Sequence, residues 1–201
     1  MKHLLKTFVL LAISTSSFAQ LSKGNWLVGG SGSFYSSNTV SKNSAFRQKS
    51  DEFNLSIVPS IGYFFAERFA AGLNTNFSWG KGKGGDAIDS NGNIVGSGGE
   101  SNIKKFLIGP FVRYYLLSTD KPFNILTSVN YQYGVLSFTP GKGSANNFSI
   151  AAGPVIYFNS SVGLEFTLGY VAQTEDAENA YETRRKGLQI GIGFQIHLEK
   201  E

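Results

Sequence analysis

Past residue 19 the chain holds a single histidine, His197, and no cysteine anywhere. A Ser–His hydrolase acting on lipid needs an imidazole held beside a serine at the lipid surface. The strand order developed below sets His197 at the opposite end of the fold, as a solvated strand-end residue. Asp89, Asn91 and Asn93 around Gly92 invite comparison with a calcium loop. Setting Gly92 at the required glycine puts Ala87 and Gly98 at the first and last ligand positions, where neither side chain can bind calcium. No cluster of His and carboxylates has metal-site spacing, and the glycines lack the strand–loop–helix context of a phosphate loop. No catalytic residue, metal or cofactor is expected. Three charges remain: Lys105, Arg113 and Glu165 fall on otherwise small, polar strand faces. A charge facing a narrow interior needs a partner. Arg113 and Glu165 each lie a few residues from a tight turn, so they can meet as an ion pair closing that interior or as a polar constriction. No ligand-binding residue is assigned.

The segments that carry these charges alternate in polarity. From 53 to 65, Phe53, Leu55, Ile57, Pro59, Ile61, Tyr63 and Phe65 share one face, while Asn54, Ser56, Val58, Ser60, Gly62 and Phe64 share the other. Period-two alternation marks β-strands. Eight such strands are read, at about 24–35, 52–65, 68–80, 103–117, 122–138, 145–158, 162–172 and 186–198. Tight turns at 66–68, 118–121 and 159–161 alternate with long polar segments at 36–51, 81–102, 139–144 and 173–185. Within the second long segment, Asn91-Gly92 between Ile88 and Ile94 signals a type I′ hairpin. Pro59, Pro110 and Pro154 recur before the tight turns and require either a bulge or a missing ladder bond.

Which face is outside follows from volume. The apolar face carries Phe69, Leu73, Phe77 and Trp79 on one strand and Phe123, Ile125, Val129, Tyr131 and Tyr133 on another. An eight-stranded barrel is only just wide enough for its side chains. Such a set would overfill a lipocalin-like soluble barrel, whereas Asn74, Asn76, Ser78, Asn124, Ser128, Asn130 and Gln132 suit a narrow lumen. The apolar face therefore looks toward lipid. Aromatics also gather toward both strand ends, as interfacial girdles do. Lys2 and Lys6, the apolar run Thr7 to Ile13 and Ser17-Phe18-Ala19 read as a secretory signal peptide at 1–19, leaving one domain at 20–201. Its removal lowers the formal charge from +4 to +2, which argues against nucleic acid as a partner.

Near the end, Gln189-x-Gly191-x-x-Phe194-x-Ile196 is similar to the signal by which the barrel assembly machinery recognises its clients. With the eight-strand pattern, the chain resembles the small outer-membrane β-barrel proteins of Gram-negative bacteria, such as outer membrane proteins A and X. The resemblance implies an all-β, antiparallel, up-and-down barrel in the bacterial outer membrane, with both termini periplasmic and long loops extracellular. It also implies lipid and lipopolysaccharide neighbours, the assembly machinery as a transient partner, and a monomer. The expected role is non-enzymatic: a structural or surface-interaction protein, with acidic 175–182 and basic Arg184-Arg185-Lys186 suited to surface contact. The alternative is a small porin or transporter for solutes or lipids, against which stands the roughly sixteen strands a diffusion channel needs.

Overall fold

The computed structural model describes residues 21–42, 46–118, 121–138, 141–159, 161–177 and 181–198; the signal-peptide reading of 1–19 lies outside these residues. Ten strands follow one another: β1 (Trp26–Lys42), β2 (Arg47–Ala66), β3 (Phe69–Gly84), β4 (Ala87–Ile88), β5 (Ile94–Gly96), β6 (Glu100–Tyr115), β7 (Phe123–Phe138), β8 (Gly141–Tyr157), β9 (Val162–Ala177) and β10 (Tyr181–Leu198). All but β4 and β5 form an antiparallel barrel in the order β1-β10-β9-β8-β7-β6-β3-β2, with β1 also paired to β2. Each strand thus neighbours its predecessor in the barrel, and β1 meets β10 to close it.

Side-chain parity puts the apolar face outside. Along β2, Phe53, Leu55, Ile57, Ile61 and Phe65 are exposed, whereas Ser56, Ser60 and Phe64 are buried in the barrel. The outer wall is apolar on every barrel strand, from Trp26 on β1 to Leu198 on β10. Water would penalise so broad an apolar belt, and hydrocarbon would not.

Two expectations about connections need correction. The segments 36–51, 139–144 and 173–185 are not long loops but largely strand. The β1–β2 ladder continues to Lys42–Arg47, and the β9–β10 ladder reaches Ala177–Tyr181. These extensions carry Ser, Asn, Thr, Lys and Glu on both faces. Beyond the apolar band neither face needs to be apolar, so the hydropathy alternation disappears while the backbone pairing continues. The second correction concerns Asn91-Gly92. A hairpin does form, but Gly92 has φ of +85° and Asn91 is not in the left-handed region, so the turn is not type I′. The Asp89 carboxylate accepts from the Asn91 and Asn93 amides, each at 2.8 Å, which holds it below the usual carboxylate range. β4 and β5 are a separate appendage joined to β2 through Arg47–Ile88, while β3 and β6 pair on their own to Lys83–Glu100.

The prolines interrupt ladders without shifting them. The β2–β3 register passes from Ile57–Phe77 to Ser60–Asn74, β6–β7 from Ile108–Tyr133 to Phe111–Asn130, and β8–β9 from Ala152–Leu168 to Val155–Glu165. Each proline still pairs on its other side, with Gly30, Leu73 and Ile125 respectively. The missing N–H thus removes pairing on one side only. Gly109 and Gly153 precede two of these prolines and lie hard against the neighbouring strand. A Cβ would fall 1.9 Å from the Tyr131 carbonyl oxygen at Gly109 and 1.8 Å from that of Phe166 at Gly153. Gly109→Ala and Gly153→Ala should therefore lower the urea midpoint of unfolding from vesicles clearly. Gly187→Ala, where a Cβ meets nothing within 4 Å, should leave it unchanged.

Candidate functional site

The interior divides into a sealed end and an open end. At the end with the short turns, Leu21, Leu27, Phe64, Ala70, Phe111, Tyr115, Leu126 and Val155 form one buried cluster, with Tyr157 packed against it. His197 sits among these rings, with centroids 5.6 Å from Phe64, 5.8 Å from Tyr157 and 6.2 Å from Tyr115. It is 1% exposed, so its reading as a solvated residue is wrong. Inward parity at β10 overrides its place near the strand end. Neither ring nitrogen has a hydrogen-bond partner among the described residues.

Directly above this plug lies the charge pair. Arg113 Nη1 donates to Glu165 Oε1 at 3.0 Å and to Oε2 at 3.2 Å. The Gln195 side-chain oxygen, oriented toward Arg113, accepts from Nη1 at 2.9 Å and Nη2 at 3.3 Å. The guanidinium also lies 5.0 Å from the Phe111 ring centre. β6 and β9 bring the partners across the barrel because both face inward at similar distances from the turn end. Lys105 does not join them. It bonds Glu175, which also holds Arg185 at 2.8 Å, nearer the other end of the barrel. Glu175, expected in a surface segment, is an inward wall residue because β9 extends through it.

From the Arg113–Glu165 pair past the Lys105–Glu175 level runs a cavity of about 930 Å³. Hydroxyl and carboxamide side chains make up the middle of its wall. Gln132 Nε2 donates to Asn74 Oδ1 at 2.8 Å, Asn147 Nδ2 to Gln132 Oε1 at 3.2 Å, and Ser56 Oγ to Asn76 Oδ1 at 2.9 Å. These bonds satisfy polar groups that would otherwise be costly to enclose. The cavity reaches Arg113, Leu126 and Glu165 at its floor and Glu52, Lys81 and Ser101 toward the loop end. It is a blind vestibule, open away from the plug. Of the proposed assembly signal, Phe194 and Ile196 face outward, whereas Gln189 and Gly191 line the cavity. Among the described residues no group of His, Cys, Asp and Glu is placed to hold a metal. The plug residues do not stand out in the sequence because most residues of the inward face are small. The available signal was large apolar residues at inward parity beside the turns: Leu27, Phe64 and Tyr115.

An apolar belt around a polar, charge-paired interior defines a transmembrane β-barrel of the small eight-stranded class. No protein-family profile matches the chain, and no curated protein matches it in sequence. Among solved structures it is similar to the N-terminal β-barrel domain of Pseudomonas aeruginosa OprF, at 13% identity, over 88% of this chain and 98% of that one, with a TM-score of 0.41. The fold assignment rests on the strand pairing itself.

Breaking the Arg113–Glu165 pair from one side leaves an enclosed charge. Arg113→Gln and Glu165→Gln should each destabilise the barrel by about 3–5 kcal/mol, and the double variant should recover part of that loss. Unfolding of the four proteins from vesicles checks it; strict additivity would contradict the pairing.

Proposed function

We propose that the chain is a non-enzymatic integral outer-membrane protein whose barrel does not conduct. It serves as a rigid platform for contacts made at its loop end. The observation that carries this reading is the aromatic and aliphatic plug under the Arg113–Glu165 pair, with Phe64, Tyr115 and Leu27 essentially without exposure. A through-pore would have to cross that layer. In this reading the termini and short turns are periplasmic, and the polar strand extensions and the β4–β5 hairpin are extracellular. The hairpin projects Ile88, Ile94 and Val95, all exposed, beside the ladder ends. Lipids and lipopolysaccharide surround a monomer, and the assembly machinery meets β10 during insertion.

The small-porin alternative predicts steady current. Purified protein in planar bilayers should give none, and Phe64→Ala combined with Tyr115→Ala should create discrete conductance steps by emptying the plug. Steady, solute-selective conductance by the unaltered protein would put the porin reading first.

A further inference from the structure

β1 and β10 close the barrel along only part of their length. Their ladder runs from Trp26–Leu198 to Gly32–Ile192 and ends there. Both strands continue: β1 stays paired with β2 to Lys42–Arg47, and β10 with β9 to Tyr181–Ala177. Among the described residues, neither β1 beyond Gly32 nor β10 before Ile192 has a strand partner across this seam. The neighbouring wall is different: β2–β3 pairing resumes after its proline and reaches Ser50–Gly84. At the parting, Phe34 is 79%, Leu188 79% and Ile190 75% exposed, against 48% for Ile57 in the continuous wall.

The parting begins inside the apolar belt. Leu188, Ile190, Ile192, Phe194, Ile196 and Leu198 form one outward row on β10, and the charged extension starts only at Lys186. Hydrocarbon cannot satisfy the free N–H and C=O groups of two strand edges. Their partners must come from the vestibule or from something that occupies the slot. The vestibule reaches it: Ser31, Ser33 and Phe34 line the cavity on one lip, and Gln189, Ile190 and Gly191 on the other. By parity the inward charges balance, with Lys105, Arg113 and Arg185 against Glu52, Glu165 and Glu175. Lys81 and Lys186 fall on the outward rows with Trp79 and Leu188, so Lys186 adds a cation at the outer lip of the slot.

We propose that the slot between β1 and β10 is a lateral doorway for a phosphate-headed membrane lipid, whose anionic headgroup enters the vestibule while its acyl chains stay in the bilayer against Phe34, Leu188 and Ile190. Phosphate oxygens accept from the free edge amides and meet Lys186 at the lip. The acyl chains cover the apolar side chains that the parting leaves bare. This rests on the membrane-barrel reading and adds a ligand to it. A water-soluble phosphate would need no slot, since the loop end is already open.

The test uses the full chain folded into vesicles of phosphatidylcholine with phosphatidylglycerol. Thr167, on the cavity wall, is replaced by p-benzoylphenylalanine, and light-induced adducts are read by mass. The slot is clamped with Phe34→Cys and Ile190→Cys, which face each other when the printed register is continued; the chain has no other cysteine. If the two stay too far apart to oxidise, a bifunctional maleimide clamps them instead. The expected result is a phosphatidylglycerol adduct that is lost when the slot is clamped. With the disulfide clamp, reductant should restore it. An adduct insensitive to the clamp means entry through the loop end. An adduct formed equally with dissolved glycerol phosphate means a free-phosphate site. Either result overturns the doorway, as does the absence of any adduct in a barrel that is inserted and protease-resistant. A chain that never inserts would instead contradict the membrane reading itself.

Discussion

A strand in hydrocarbon must find a partner for every backbone N–H and C=O along it, because no water is there to take their place. Most of this structure follows from that demand. It requires the antiparallel order to close β1 onto β10, and it tolerates the three prolines only because each loses pairing on one side while keeping it on the other. It also makes the unpaired lips above Gly32 and Ile192 conspicuous. The proline gaps span two residues each and the ladders resume beyond them, whereas this ladder does not resume.

Closure creates a second constraint, because an eight-stranded interior must be filled. The two ends answer differently. At the turn end, inward apolar residues and His197 pack into one buried cluster that stabilises that end through burial. Toward the loop end the inward residues are Ser, Asn and Gln, too small to meet in the middle, and a cavity remains. The Arg113–Glu165 pair sits at the boundary between these halves. It is enclosed enough for each charge to require the other and close enough to the cavity to form part of its floor. The Lys105–Glu175–Arg185 group repeats the arrangement nearer the mouth.

The barrel itself was readable because the belt imposes a strict rule on its residues. The 53–65 alternation specifies a strand and the face of it that meets lipid. Parity along β6 and β9, with similar distances from the turns, is the signal that brings Arg113 to Glu165. The same signal was lost above the belt. There both strand faces meet water, residues 36–51 and 173–185 read as loop, and Glu175 could not be placed opposite Lys105. His197 failed for a related reason. A polar residue near a strand end resembles a solvated one, and only the rings of Phe64, Tyr115 and Tyr157, contributed by three other strands, show that it is enclosed. The parted seam leaves no local trace, since pairing across it depends on residues at opposite ends of the sequence.

The central claim is that the apolar face looks into lipid and the polar face into the barrel interior. Nitroxide labels placed one at a time along β2 from 53 to 65 in vesicles test it most directly, through collision with oxygen, which concentrates in hydrocarbon, and with a water-soluble nickel chelate. Oxygen accessibility should rise and fall with period two, with maxima at 55, 57 and 61, and the nickel complex should not reach those positions. Maxima at 56, 58 and 60, or equal access by the nickel complex to both faces, would contradict the account.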